Sequence, residues 1–216
     1  MATQSAPRII TIATNGDLTI RLYKVDATSP PFTLATGRTV NGRLLASFKV
    51  SRDILIKESS TFKAALQGFF AEAKSSIVDV EEGTVTSLEL WFRIIHNAMT
   101  EDMYAIPIIE IWEAIAVADF RDFPETMLND WFAKWLQRKN YEKLGGKEMR
   151  QLLYPCRLLN YGEGSSVLPR AFAFMTKKLA YEAVEHIVEI NPTRHYYLHL
   201  MGNEVSYAKP RISYNR

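Results

Sequence analysis

The hydrophobic and polar positions of the chain alternate strictly in three short stretches, and this alternation predicts three β-strands. A period of two places the hydrophobic side chains on one face of a sheet and the polar ones on the other. The predicted strands are residues 18–23, 48–51 and 76–80. Between the first two strands the pattern weakens, and the Asn41-Gly42 dipeptide favours a tight hairpin turn. Residues 1–15 lack a sustained pattern, so we expect a flexible tail there with, at most, a short edge strand.

Helical spacing replaces the alternation directly after the second strand. Two short helices come first, and the hydrophobic stripe of the second connects Phe62, Leu66 and Phe69 at intervals of three to four residues. Gly68, near the end of that stripe, marks the region where we expect the helix to stop.

Three longer amphipathic helices follow the third strand. Thr86 and Glu89 predict a capping box at the start of the first, and Pro107 predicts the first residue of the second. The third carries Trp131 and Trp135 one turn apart. This spacing is more typical of a buried stripe than of an exposed docking stripe.

The Gly145-Gly146 dipeptide is the best internal boundary, because the hydrophobic positions start a new helical pattern after it. Residues 162–166 predict a linker or turn, and a long helix follows Pro169 until the Asn191-Pro192 stop. The chain then divides into a tail (1–15), a compact domain (16–142) and a helical extension (147–216). The extension either enlarges a binding surface or folds back over the domain, and the pattern leaves both possibilities open.

Composition narrows the class of protein further. Of the 216 residues, 47% are hydrophobic and 23% are charged, which is typical of a globular chain. The 26 basic and 24 acidic residues leave a net charge of +2, which is too little to attract nucleic acid or anionic membranes. Four cations spread over residues 194–216 are likewise too sparse to indicate a surface for single-stranded nucleic acid.

The cysteine content and the hydropathy predict an intracellular protein of the cytoplasm or nucleus. Cys156 is the only cysteine, so no internal disulfide can form, and we expect a buried thiol. No stretch approaches the roughly 20 apolar residues of a membrane span. The N-terminal residues also lack the apolar core of a signal peptide.

The sequence contains no G-x-S-x-G, G-x-x-x-x-G-K or strand-linked G-x-G-x-x-G motif, so we expect no catalytic residues, cofactor or metal. His195 and His199 have the spacing of two metal ligands on a helix, but the Glu of H-E-x-x-H and a third ligand are missing. Asp119 and Asp122 predict a helix cap and an ion pair with Arg121 rather than acid–base catalysis. A small metal-dependent or hydrolytic enzyme is therefore the remote alternative.

Five short motifs occur along the chain in the order strand, strand, helix, strand, helix. They are Gly16-Asp17-Leu18-Thr19-Ile20, Phe48-Lys49-Val50-Ser51-Arg52 continued by Ile54-Leu55, Ser60-Thr61-Phe62-Lys63-Ala64, residues 77–81 and residues 88–99. Together they resemble the G-D strand, the F-x-V-H-R signature, the S-x-x-F-x-A helix and the following strand and helix of the BTB/POZ domain family. The match covers residues 16–140. Ser51 replaces the usual His of the signature and the Y-T-G turn is absent, which indicates a divergent, fungal-type member.

The resemblance implies an α+β fold, in which a small mixed sheet packs on a cluster of α-helices and the helical C-terminal extension follows. It also implies a non-enzymatic protein-protein interaction module that self-associates as a homodimer and recruits protein partners, in some relatives to regulate transcription. The alternative within the family is a substrate adaptor of a cullin-RING ubiquitin ligase, with a cullin as its partner.

Two pairs of residues match the places where members of this family bind partners. In dimeric relatives, an acidic residue of the opening strand and the Arg of the signature face a shared pocket near the dimer interface. Asp17 and Arg52 match these positions, although the two could instead form one internal ion pair. In cullin-recruiting relatives a hydrophobic-x-Glu triplet follows the second short helix, and Phe70 and Glu72 match it. Phe70 could instead belong to the core, and Glu72 to a solvated helix end.

Overall fold

A computed structural model of the chain describes residues 7–159 and 167–179. Its strands are β1 (Arg8–Thr11), β2 (Leu18–Val25), β3 (Pro31–Thr33), β4 (Thr39–Val50) and β5 (Ile77–Val80). Its α-helices are α1 (Arg52–Glu58), α2 (Ser60–Gln67), α3 (Val85–Ile95), α4 (Ile108–Arg121), α5 (Asn129–Lys139), α6 (Gly146–Leu158) and α7 (Val167–Leu179). Short 3₁₀ helices cover Ala71–Lys74, Glu101–Tyr104, Glu125–Leu128 and Tyr141–Lys143. The α+β prediction is confirmed at the level of a small mixed sheet combined with α-helices.

The sheet has the strand order β1-β4-β2-β5 and contains both parallel and antiparallel pairs. β2 and β4 are antiparallel, whereas β1 joins β4 and β5 joins β2 in parallel. The alternation along β2 and β4 buries one face of the sheet. The side chains on that face that are at most 1% exposed are Leu18, Ile20, Leu22, Ala46, Phe48 and Val50. β3 lies off this path and pairs with the first residues of β4 as a hairpin.

Aromatic side chains fill much of the core beneath the sheet. The stripe of α5 is buried there, and its two indole N–H groups donate to backbone carbonyls. Trp131 donates to Met103 (3.2 Å) and Trp135 donates to Ile106 (3.0 Å). A buried indole N–H requires such an acceptor, so these contacts fix the position of α5 along its neighbours. The prediction of a buried stripe is confirmed.

The described part of the extension folds back over the domain and shares its core. Met149 and Cys156 of α6 and Met175 of α7 are fully buried in the same hydrophobic cluster as the sheet. The indole N–H of Trp112 in α4 donates to the carbonyl oxygen of Gln151, 3.0 Å away, and so ties α6 to the domain. Burial raises the pKa of the Cys156 thiol, and the prediction of a buried thiol is confirmed.

Several predictions concern residues outside the described ranges. These are the turn at residues 162–166, the helix stop at Asn191-Pro192, the pair His195 and His199, and the cations of residues 194–216. Of the helices in the described ranges, none combines the length and apolarity that a bilayer crossing requires.

Within residues 1–15, β1 is the short edge strand that the sequence pattern allows there, so the flexible tail does not extend over this stretch. This strand pairs in parallel with β4, and Ile10 and Ile12 enter the core. Arg8 lies opposite Ala46, far along the chain, so a local pattern over four residues could not reveal the pairing. Residues 1–6 lie outside the described ranges.

The hairpin turn before β4 lies at residues 34–38 rather than at Asn41-Gly42, which is inside the strand. Gly37 adopts the positive φ of +83° that this turn needs. Gly42 has a different role, because a Cβ there would lie 2.6 Å from the carbonyl oxygen of Lys24 in the neighbouring strand. It therefore permits close approach of β2 and β4 instead of a turn.

The start of α3 also differs from the prediction. Thr84 and Ser87 form the capping box, and Thr86 and Glu89 do not. The helix begins earlier than its hydrophobic stripe suggests, and the buried Glu89 side chain takes part in an ion pair within α3. Pro107 is the N-cap of α4 rather than its first residue.

Candidate protein-interaction site

The connection between α2 and β5 exposes two consecutive phenylalanines. Phe69 is fully exposed and Phe70 is 63% exposed, whereas Phe62 within α2 is buried. Single exposed apolar residues are ordinary on protein surfaces, but adjacent aromatic rings form a larger apolar patch of the kind that marks interaction sites. We call residues 68–75, which carry both rings, the docking segment.

Gly68 turns both rings away from the core. α2 ends at Gln67, where the N–H of Gly68 donates to the carbonyl oxygen of Ala64 (3.0 Å) and the backbone becomes extended. A Cβ at this position would overlap the same carbonyl oxygen, so a larger residue would have to displace the end of the helix. The predicted continuation of the buried stripe to Phe69 is therefore wrong, because the helix stops before that residue.

A short 3₁₀ helix, Ala71–Lys74, orders the second half of the docking segment. The N–H of Ala73 donates to the carbonyl oxygen of Phe70 (3.1 Å), and the N–H of Ser75 donates to that of Glu72 (3.2 Å). Because Phe70 is 63% exposed, it is not a core residue. Glu72, two residues later in the chain, is half-buried.

Arg52, at the first position of α1, reaches this segment with its half-buried side chain. Its guanidinium donates to the carbonyl oxygens of Leu66 (3.5 Å), Ala73 (3.3 Å) and Ser75. These acceptors lie on both sides of the two phenylalanines. Five N–H donors in one rigid plane allow a single arginine to join separate chain segments in this way.

Asp17 holds the backbone of the same arginine. Its Oδ1 accepts the N–H of Arg52 (2.9 Å), so the carboxylate lies at the N-terminus of α1, where negative charge is favourable. The preceding residue, Gly16, has no room for a side chain, because a Cβ there would lie 2.6 Å from the carbonyl oxygen of Val50. Among the ion pairs of the described residues none joins the two side chains, so the internal ion pair considered as an alternative is wrong.

His96 is a residue of this region that the sequence analysis missed. Its Nδ1 lies 2.8 Å from the carbonyl oxygen of Phe92, and its Nε2 accepts the N–H of Ser51, 3.0 Å away. Both contacts together require the neutral ring with its proton on Nδ1. Burial lowers the pKa of His96, which favours the same form. The only sequence signal is its place at the end of α3, where histidine suits the last carbonyls of a helix.

The four predicted site residues form one connected region. Asp17 binds the backbone of Arg52, and the side chain of Arg52 binds the segment that carries Phe70 and Glu72. The region presents an aromatic pair, followed in the chain by a carboxylate and the exposed Lys74. An apolar anchor beside charges that fix orientation is the combination found at protein-protein hot spots.

Of the two aspartates at the end of α4, Asp122 makes structural contacts. Arg121 pairs with Glu82 rather than with either aspartate, so that part of the prediction is wrong. Asp122 ends the helix in the left-handed conformation (φ 52°) and accepts the hydroxyl of Ser60. Together with Asp119 it lines an open cleft of about 330 Å³. In the part of the chain that the structure describes, no group of three His, Cys, Asp or Glu side chains could hold a metal ion.

No protein-family model matches the chain, and no match was found among curated proteins. The functional conclusion therefore depends on the site itself and on the resemblance of the motifs.

Proposed function

We propose that the chain is a non-enzymatic protein-interaction module of the BTB/POZ type, which self-associates and recruits partner proteins. The observation that carries the proposal is the docking segment, where two adjacent phenylalanines are exposed on a backbone held by Arg52 and shaped by Gly68. Covering apolar surface is favourable by about 25 cal/mol per Å². A segment that is already ordered also loses little conformational entropy when a partner binds.

The order and the junctions of the elements support the proposed family. β2 is followed by β3 and β4, the short helices α1 and α2, β5 and three longer helices, and this order contains the strand, strand, helix, strand, helix order of the five motifs. The Gly16-Asp17 motif stands directly before β2, and residues 48–52 cross from β4 into α1. The positions of these two motifs support the proposed family.

Self-association is supported by one edge of the sheet. Among the described residues β1 is the outermost strand at this edge, and its Ile9 side chain is 84% exposed. An exposed strand edge offers unpaired backbone groups to a second chain. Light scattering over a range of concentrations tests this part, and we expect a mass that rises toward that of a dimer. Ile9→Lys should shift the equilibrium toward the monomer, and a wild type that stays monomeric at every concentration contradicts self-association.

A second candidate function is that of a substrate adaptor of a cullin-RING ubiquitin ligase. Phe70 favours it, because this residue is 63% exposed at the first position of the hydrophobic-x-Glu triplet that ends with Glu72. In such a contact the ring fills a pocket of the cullin and the carboxylate fixes its orientation.

Pulldown of a panel of purified cullins tests the adaptor function directly. We expect the wild type to retain one cullin and the Phe70→Ala and Glu72→Lys variants to lose it. Phe120→Ala is the matched control, because that ring is 40% exposed on α4 and outside the docking segment. Absence of binding by the wild type, or equal binding by all variants, contradicts the adaptor function.

A further inference from the structure

Among the residues that the structure describes, one side chain from outside the docking segment binds the backbone at both of its ends. The guanidinium of Arg52 donates to Leu66 before the phenylalanines and to Ala73 and Ser75 after them. Within the segment itself the backbone bonds of the 3₁₀ helix span only a few residues. The contacts of Arg52 therefore bring the two ends of the exposed stretch together, which its local hydrogen bonds do not do.

Arg52 is itself attached to the rigid part of the fold. Its backbone N–H donates to Asp17, and the preceding N–H, of Ser51, donates to His96 at the end of α3. Leu55, one turn later in α1, is fully buried. The guanidinium thus extends from a fixed point, which is the condition for positioning a neighbouring loop.

The acceptors of this cation are neutral. Among the ion pairs of the described residues none includes Arg52, so carbonyl oxygens are the acceptors that its guanidinium is shown to bind. Hydrogen bonds from a charged donor are stronger than those between neutral groups. The three contacts therefore order the backbone of the segment rather than neutralise the charge of a carboxylate.

We infer that Arg52 is a positioning residue, which fixes the conformation in which Phe69 and Phe70 are presented and so sets the affinity for a partner that it does not itself touch. Its effect on binding rests on the proposed function, whereas its effect on the segment does not. This role differs from a direct contact at a dimer interface, because the guanidinium is turned to the chain's own carbonyls.

Amide hydrogen exchange of the isolated protein tests the effect on the segment. Arg52→Met removes the donors and keeps a long side chain, and the amides of Ala73 and Ser75 should then exchange about tenfold faster or more. Arg52→Lys keeps one charged donor group and should restore part of the protection. Arg43→Met, at an exposed arginine of β4, is the control and should leave these amides unchanged.

Two outcomes of this experiment overturn the inference. In one, Arg52→Met leaves the exchange of the docking segment as it is in the wild type. In the other, the amides of α3 and α5 accelerate as much as those of the segment, which would make Arg52 a general stability residue. Arg52→Lys keeps the test decisive if the methionine variant does not fold, since a lysine that leaves the segment as protected as the wild type also contradicts a role for the planar guanidinium.

The effect on affinity is tested with the purified cullin retained in the pulldown, or with the homodimer equilibrium if no cullin is retained. Arg52→Met should weaken binding about tenfold in the wild type and have little further effect in a Phe69→Ala, Phe70→Ala background. Equal losses in both backgrounds contradict positioning of the rings. If no partner binds at all, the proposed function fails, while the exchange result still decides whether Arg52 orders the segment.

Discussion

Two aromatic regions of the molecule, the α5 stripe and the docking segment, place similar side chains in opposite environments. In α5, Trp131 and Trp135 are at most 3% exposed, and both indole N–H groups have backbone acceptors. In the docking segment, Phe69 and Phe70 face solvent, and a phenyl ring has no polar group that could anchor it. The backbone of the segment is held by Arg52 instead.

This difference in exposure predicts which substitutions change stability and which change binding. A ring within a continuing helix is buried by the elements on which that helix packs, so its removal leaves a cavity. The rings beyond Gly68 contribute little to the packing of the fold and are available to a second molecule. We therefore expect substitutions in α5 to change the free energy of unfolding and substitutions in the docking segment to change the free energy of binding.

The largest expected effect is on stability. Trp135→Ala should lower the free energy of unfolding by about 3–5 kcal/mol, because it removes a fully buried ring and leaves the carbonyl oxygen of Ile106 without its donor. Phe69→Ala should change that free energy by no more than about 0.5 kcal/mol. Denaturant unfolding of both variants measures the contrast, and a Phe69 variant that is destabilised as strongly as the Trp135 variant would break it.

The next effect is on binding. Phe70→Ala should weaken the complex with a bound partner by about 2 kcal/mol, roughly a thirtyfold loss of affinity, which is the size expected of a central aromatic anchor. Its free energy of unfolding should stay close to that of the wild type. Isothermal titration calorimetry measures the first quantity, and Ile109→Ala, at a side chain 40% exposed on α4, serves as the control. A similar loss of affinity in both variants would contradict a specific role of the docking segment in binding.

The contrast also shows why the fold was easier to predict than the site. Periodic hydrophobic patterns mark β2, the end of β4, β5 and the long helices. Such a pattern can be read from the sequence because it involves only residues within one element. The α5 stripe was recognised in this way. For β1 the sequence allows a short edge strand but does not indicate its partner, because the strand is ordered by pairing with Ala46 and its neighbours. The predicted turn at Asn41-Gly42 is wrong because Gly42 pairs with Val25 of β2.

The site depends on contacts that span longer distances in the chain. The acceptors of Arg52 lie 14 to 23 residues away, and Ser51 binds a histidine 45 residues away. The resemblance of the motifs singled out Asp17, Arg52, Phe70 and Glu72, but it did not indicate how they connect. The exposure of Phe69 was missed because the helical stripe extends to it in sequence, while Gly68 ends the helix first.

A smaller effect on stability is expected where Asp17 holds Arg52. Asp17→Ala should lower the free energy of unfolding by about 1 kcal/mol, the usual cost of losing a side-chain acceptor at a helix N-terminus. Asp17→Asn keeps an acceptor oxygen and should lose only a few tenths of a kcal/mol through its charge. Denaturant unfolding compares the two, and an alanine variant as stable as the wild type would contradict the capping role.

The smallest effect concerns pH, through His96. Its pKa in the folded protein is lowered from the ordinary 6.5, first by burial, so the folded state favours the neutral ring. The unfolded chain then binds a proton more readily than the folded one as the pH falls below 6.5. The stabilisation from His96 is therefore complete above that pH and is lost progressively below it, since a protonated Nε2 cannot accept the N–H of Ser51.

His96→Gln isolates this contribution. A glutamine amide can donate to the carbonyl of Phe92 and accept from Ser51, but it does not titrate. Unfolding free energies of the two proteins should run parallel above pH 6.5 and diverge below it, with the wild type losing more. The protection factors of the docking-segment amides, which correct for the pH dependence of intrinsic exchange, should fall over the same pH range in the wild type alone, because Ser51 precedes the arginine that orders them. Curves that stay parallel down to acid pH would show that the neutral histidine does not contribute to this connection.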